Sequence, residues 1–129
     1  MNSPLVKYTN TNHNNYTKGR NHKIDTVTIH CTAGSKNSTA KSVCDYLANG
    51  SRKASANYIV GGDGSIACNV NECDRSWCTS SASNDNRAVT IEVASDNFEP
   101  YEITITALDP LLELLGDICK RNNIPKLIW

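Results

Sequence analysis

The sequence is short of aromatic residues and has no excess of either charge. Its 129 residues include one Phe, one Met, two Trp and five Tyr, and 13 Lys plus Arg stand against 13 Asp plus Glu. A formal charge of zero supplies no general attraction to nucleic acid, an anionic membrane or an acidic polymer, so recognition has to be local. No stretch approaches the roughly 20 apolar residues of a membrane span, and Met1-Asn2-Ser3-Pro4-Leu5-Val6-Lys7 lacks the apolar segment of a secretion signal. The expectation is a protein synthesised in the cytoplasm without a signal peptide, with neither nucleic acid nor a membrane as partner. Seven Gly and four Pro, without a period, exclude collagenous and low-complexity chains. The length suits one domain, able to bury about two-thirds of its unfolded surface.

What the chain does have is amide and hydroxyl: 16 Asn, 12 Ser and 11 Thr. It also has six cysteines, enough for three disulfides in a secreted domain. Without a signal peptide they are expected to be mostly free thiols that pack as small apolar groups. Cys68, Cys73 and Cys78 recur at five-residue intervals, which matches none of the zinc patterns built on C-x2-C.

Residues 1–23 lack hydrophobic period and read as an extended arm laid over a domain. Ile24 to His30 alternates, with Val27 and Ile29 on one face and Thr26, Thr28 and His30 on the other, as in a half-buried strand. Ser38 or Thr39 can cap a helix carrying Ala40, Val43, Cys44 and Leu47, stopped by Asn49-Gly50. Ala56 to Val60 and Ser65 to Val70 form a hairpin, with Gly61-Gly62-Asp63-Gly64 supplying positive φ. The polar segment from Asn71 to Arg87 reads as a long functional loop. Ala88 to Ala94 is a strand that buries Val89, Ile91 and Val93. Leu108, Leu111, Leu112, Leu115, Ile118 and Cys119 mark an amphipathic helix, with Pro110 placed in its first turn. The last residues, from Ile124, read as the first half of another strand.

Two residues stand out chemically. His30 closes a strand on its polar face, where a rigidly held imidazole suits a metal ligand, a general base or a hydrogen-bonded structural role. Glu92 sits between Ile91 and Val93, so its carboxylate needs a partner, a cavity or solvent. Cys31, next to His30, points to the opposite face and cannot share an ion with it. Trp77 could stack on a sugar or peptide, or pack as a core aromatic.

The run Ile24-Asp25-Thr26-Val27-Thr28-Ile29-His30-Cys31-Thr32-Ala33-Gly34 resembles the first-ligand strand of the zinc-dependent N-acetylmuramoyl-L-alanine amidases. That superfamily also includes the peptidoglycan recognition proteins. Ser55 to Ile66, Asn84 to Ala88 and Val89 to Val93 fit in the same order, and the likeness is strongest to endolysin catalytic domains from phages and prophages of Gram-positive hosts. The resemblance implies an α/β fold: a central mixed β-sheet flanked by helices, with residues 24–129 as a catalytic domain short of its last strand and metal-binding loop. It implies a Zn2+ ion with His30 as first ligand and the other two ligands beyond Trp129. It also implies Glu92 as the catalytic carboxylate and Thr32, Asn57 and Trp77 as substrate-binding residues. Where relatives carry a catalytic tyrosine this chain has Ala56, and Tyr58, two positions on, is given no catalytic role. The implied partner is peptidoglycan, and the implied activity is hydrolysis of the amide between N-acetylmuramic acid and L-alanine. A non-catalytic peptidoglycan-binding module and a disulfide-stabilised secreted domain are the competing readings.

Overall fold

A computed structural model describes residues 1–125. Seven strands and three helices follow one another as β1 (Tyr8–Thr9), β2 (Tyr16–Thr17), β3 (Thr26–Cys31), α1 (Ala40–Ala48), β4 (Tyr58–Val60), β5 (Ile66–Cys68), β6 (Arg75–Ser76), α2 (Ala82–Arg87), β7 (Ala88–Val93) and α3 (Ile105–Arg121). Five of the strands form a mixed sheet in the order β1-β5-β4-β7-β3, with β4 and β5 antiparallel and the other pairs parallel. The strand expected from Ile124 falls largely on residues 126–129, outside the described residues.

Alternation along the strands gives the sheet two different faces. Tyr58, Val60, Ile66, Cys68, Val89, Ile91 and Val93 pack against Ala107, Leu111, Leu114, Leu115 and Ile118 of α3. On the opposite face Ile59 and Ala67 meet Ala40, Cys44 and Leu47 of α1. Thr39 caps α1, accepting from the Ser42 amide at 3.1 Å. Helix α1 covers only part of its face, so the ends of β3 and β7 beyond it are left for the site.

The structure shifts several expected features. Pro110 lies in the second turn of α3, and the buried stripe is rotated, leaving Leu108 and Leu112 partly exposed while Leu114 is buried. Within the polar 71–87 segment, Ser81 caps the short helix α2 and β6 pairs with β2. The arm adds β1 to the edge of the main sheet. Of the hairpin glycines only Gly64 has positive φ. Gly62 is needed for close approach, because a Cβ there would lie 1.7 Å from the Lys36 carbonyl oxygen.

Amides and buried charges tie the arm down. Asn12 donates to the Leu47 carbonyl at the end of α1 at 2.8 Å and accepts from the Asn15 amide at 2.8 Å. The Arg20 guanidinium donates to the carbonyl oxygens of Glu72, Asp85 and Ala88. Glu72, almost fully buried, accepts two 2.9 Å hydrogen bonds from Arg121, one from Asn122 and one from the Tyr58 hydroxyl. Burial pushes the Glu72 carboxyl up, but the hydrogen bonds from Arg121, Tyr58 and Asn122 outweigh it and hold the carboxyl below its ordinary range.

Two outcomes follow for stability. Glu72→Ala leaves Arg121 and the Tyr58 hydroxyl without their shared acceptor and is expected to cost about 3 kcal/mol in urea unfolding at neutral pH. Because the folded Glu72 value is depressed, its contribution is full above the unfolded carboxylate range and is lost as pH falls through the depressed value, so the variant and the parent converge in acid. Gly62→Ala must displace backbone and is expected to lower stability by about 2 kcal/mol or more, read in the same assay.

Candidate active site

The site begins with a register. Strands β3 and β7 run parallel with His30 opposite Glu92, and β4 sets Ile59 beside Glu92. Thr28, His30, Thr90 and Glu92 therefore leave the sheet on the α1 face, alternating with the core residues of the other face. His30 Nδ1 lies 4.0 Å from Glu92 Oε1. The imidazole is about two-fifths exposed and the glutamate about one-fifth.

A third group comes from the segment between β6 and α2. Cys78 Sγ is 3.8 Å from Glu92 Oε1. One donor atom from each of His30, Cys78 and Glu92 falls within 4.8 Å of the others. The buried Asp85 carboxylate fixes this segment, accepting from the Cys78 amide at 3.2 Å and from the Thr79 hydroxyl at 2.7 Å. Asn84 then ties α2 to β3 through a 3.1 Å bond to the Thr28 hydroxyl.

Electrostatics make the Glu92 carboxylate unusual. Burial pushes its pKa up to about 7, with the Cys78 hydrogen bond as the smaller, opposing influence. Its Oε2 is buried without a hydrogen-bond partner. Burial, followed by the charges of Glu92 and Asp85, pushes the Cys78 thiol up to about 12. A carboxylate poised near neutrality in a cleft suits proton transfer, and its unpaired oxygen is an acceptor for a proton or a cation. Imidazole nitrogen, thiol sulfur and carboxylate oxygen together are a donor set that fits a zinc-like ion.

The cleft beside these groups holds roughly 310 Å³ and is bounded by Thr32, Val43, Tyr46, Arg52, Cys78 and Glu92. Thr32 lies at its wall, its amide donating to the Val93 carbonyl at 2.9 Å and its hydroxyl accepting from the Ser95 amide at 3.1 Å. Asn57 does not reach the cleft. It is fully buried, its amide donating to the Val70, Asn71 and Asp74 carbonyls and accepting from the Thr90 amide, so it supports β7 from within. Trp77 faces a separate depression with Lys53, Arg75 and Ser81, and its indole donates to Thr17 at 3.0 Å. Tyr58 points into the α3 core toward Glu72.

Sequence reasoning missed Cys78. Its five-residue spacing from Cys73 and Cys68 was the visible pattern, but Cys68 is buried in β5 and Cys73 is exposed elsewhere, and all six cysteines are free thiols. The available signal was the Asp85 carboxylate seven residues on, able to hold the Cys78 loop. The two further ligands placed beyond Trp129 lie outside the described residues.

No curated protein sequence matches the chain. Among solved structures, PlyL superposes with a TM-score of 0.74 at 13% identity, covering 92% of this chain and 75% of that one. A mutant endolysin from Bacillus subtilis gives 0.70 at 18%, covering 93% and 79%. Drosophila peptidoglycan recognition protein SD gives 0.68 at 19%, covering 92% and 78%. At these identities the likeness is one of fold, the central mixed sheet flanked by helices. The N-acetylmuramoyl-L-alanine amidase family profile matches residues 20–128, and with it spanning most of the sequence the chain belongs to that family.

Proposed function

We propose that this chain is the catalytic part of a peptidoglycan hydrolase that cleaves the amide between N-acetylmuramic acid and L-alanine, as endolysins do in cell-wall lysis. The single observation that carries the reading is the Glu92 carboxylate beside His30, raised to about 7 at an open cleft. Family membership supports the reaction type.

His30 would hold a Zn2+ ion, which when bound supplies Lewis-acid polarisation of the scissile carbonyl and a more acidic water. The residues here do the rest. Glu92, with a pKa near neutrality, takes a proton from the attacking water and returns it to the departing amine of L-alanine. Ile59, beside Glu92 on the neighbouring strand, limits solvation of that carboxylate and keeps it basic. The wall of Thr32, Tyr46 and Arg52 offers a hydroxyl, an aromatic face and a cation to a glycopeptide, with Arg52 already 3.1 Å from the Tyr46 hydroxyl.

The test is release of L-alanine-initiated peptide from a muramoyl peptide by the chain in the presence of Zn2+. His30→Ala and Glu92→Gln are each expected to reduce it about a thousandfold or more. Full activity in either variant, or saturable binding of muramoyl peptide with no cleavage by the parent, would sink the amidase reading.

The raised Glu92 value also predicts a stability effect in the chelated, metal-free chain. A carboxyl held above its unfolded value costs nothing in acid, where both states are protonated. The cost grows as pH rises through the unfolded carboxylate range and is complete above about 7. Glu92→Gln should therefore be more stable than the parent by about 1–3 kcal/mol at pH 8, and equal to it at pH 4, by thermal or urea unfolding.

A further inference from the structure

We infer that Arg52 is the specificity-determining residue of the cleft: it receives a free carboxylate on the second residue of the peptide and so selects acidic over amidated muramoyl peptides. The identity of the substrate rests on the amidase reading; the place and sign of the charge that is recognised come from the geometry.

Cations are scarce in the cleft. Of the residues that line it, Arg52 alone is a Lys or Arg. Lys36, Lys41, Arg87 and Arg121 each pair with a carboxylate, whereas among the described residues none pairs with Arg52. Its guanidinium donates to the Tyr46 hydroxyl at 3.1 Å and stands 5.8 Å from the centre of that ring. A guanidinium carries five N–H donors in a planar fork, so most of the fork is free while the half-exposed Tyr46 ring holds it at the cleft wall.

The loop that carries Arg52 is fixed from behind. Asn15, nearly fully buried in the N-terminal arm, donates through its side-chain amide to the carbonyl oxygens of Gly50 and Arg52. Asn12 does the same for Leu47 and Ala54. The connection between α1 and β4 therefore keeps its course without a ligand, and a group anchored on Arg52 orders little backbone on binding.

The chemistry of the substrate decides what the fork meets. In a muramoyl amide the carboxyl of the sugar is consumed in the scissile bond, and the alanine that follows is bonded at both ends. The first carboxylate available lies on the second residue of the peptide. At roughly 310 Å³ the cleft is at the small end of small-molecule sites and admits only a residue or two beside the scissile bond. Arg52 thus marks the peptide side of the cleft, where a planar carboxylate fits its fork through two parallel hydrogen bonds. A carboxamide there has one acceptor oxygen and turns its own N–H groups against the fork, which is a penalty as well as a loss.

The probes are two muramoyl tripeptides whose chain runs on through the side-chain carboxyl of a second-residue glutamate, its α-carboxyl being the free acid in one and the primary amide in the other. With Zn2+ present, the parent is expected to cleave the acid with a kcat/KM about tenfold above that of the amide, the difference lying in KM. Arg52→Gln should bring the ratio close to one. Arg52→Lys, which keeps the charge without the fork, should retain part of the preference. Arg52→Glu should invert it, a change of sign that a folding defect cannot produce. Lys53→Gln removes the same charge one residue along, outside the cleft, and should keep the ratio of the parent. Binding gives a second readout: in the Glu92→Gln chain the Kd of the acid by titration calorimetry should lie below that of the amide, and adding Arg52→Gln should close the gap. Equal kcat/KM and equal Kd for the two peptides, or a ratio unchanged in Arg52→Gln, overturns the assignment. Cleavage of both peptides at equal rates would leave the amidase reading standing and this inference fallen; discriminating binding without cleavage would do the reverse.

Discussion

The parallel pairing of β3 with β7 is the constraint on which the rest depends. It sets six residue pairs in register, and one of them is His30 with Glu92. Slipping the pairing by one residue would turn Val93 or Ile91 toward the cleft and drive Glu92 into the α3 core, where a carboxylate has no partner. The apolar residues at 89, 91 and 93 therefore protect the chemistry on the opposite face. Their burial makes every other register expensive, and the site inherits its precision from the core.

That arrangement concentrates cost at Glu92 and stability elsewhere. A largely buried carboxylate with an unpaired oxygen is a local defect by the rule that buried polar groups are satisfied. The turn between β5 and β6 contains the opposite case in Glu72, which has four donors around it and a depressed pKa. The two glutamates lie on opposite sides of the sheet, one serving α3 and the arm, the other facing the cleft. Environment alone separates their roles: full hydrogen bonding keeps Glu72 ionised, while burial with only the Cys78 thiol as partner keeps Glu92 near the point of proton transfer.

Much of the sheet was legible because its strands alternate. Residues 26–31 and 88–93 announce which side chains face the core, and the paired appearance of His30 and Glu92 on polar faces needed only the assumption of a shared sheet. The glycine turn was legible as a turn, but its reason was not, since Gly62 answers to the Lys36 carbonyl rather than to its own φ. Asn57 was expected in the cleft only through the family resemblance. Its partners are backbone carbonyls from residues 70–74, which are distant in any sequence window. The rotation of the α3 stripe was missed because leucines at 108 and 112 carry the hydrophobic signal without being the buried ones.

Cys78 shows why loop chemistry escapes sequence reading more completely than strand chemistry. A strand residue's direction follows from a period of two, so His30 and Glu92 could be placed from their neighbours alone. A loop residue has no period, and its direction is decided by whichever group ends up holding its backbone. Here that group is Asp85, and its carboxylate reaches back only because α2 is capped by Ser81 and anchored to β3 through Asn84. The segment from 78 to 88 is then a single device: a short helix whose acidic residue pins the loop before it, and whose end runs straight into the strand that carries Glu92. Sulfur and carboxylate are brought together by 14 residues of local chain. The imidazole arrives from β3, which precedes that segment by more than 40 residues, through the one register the core permits.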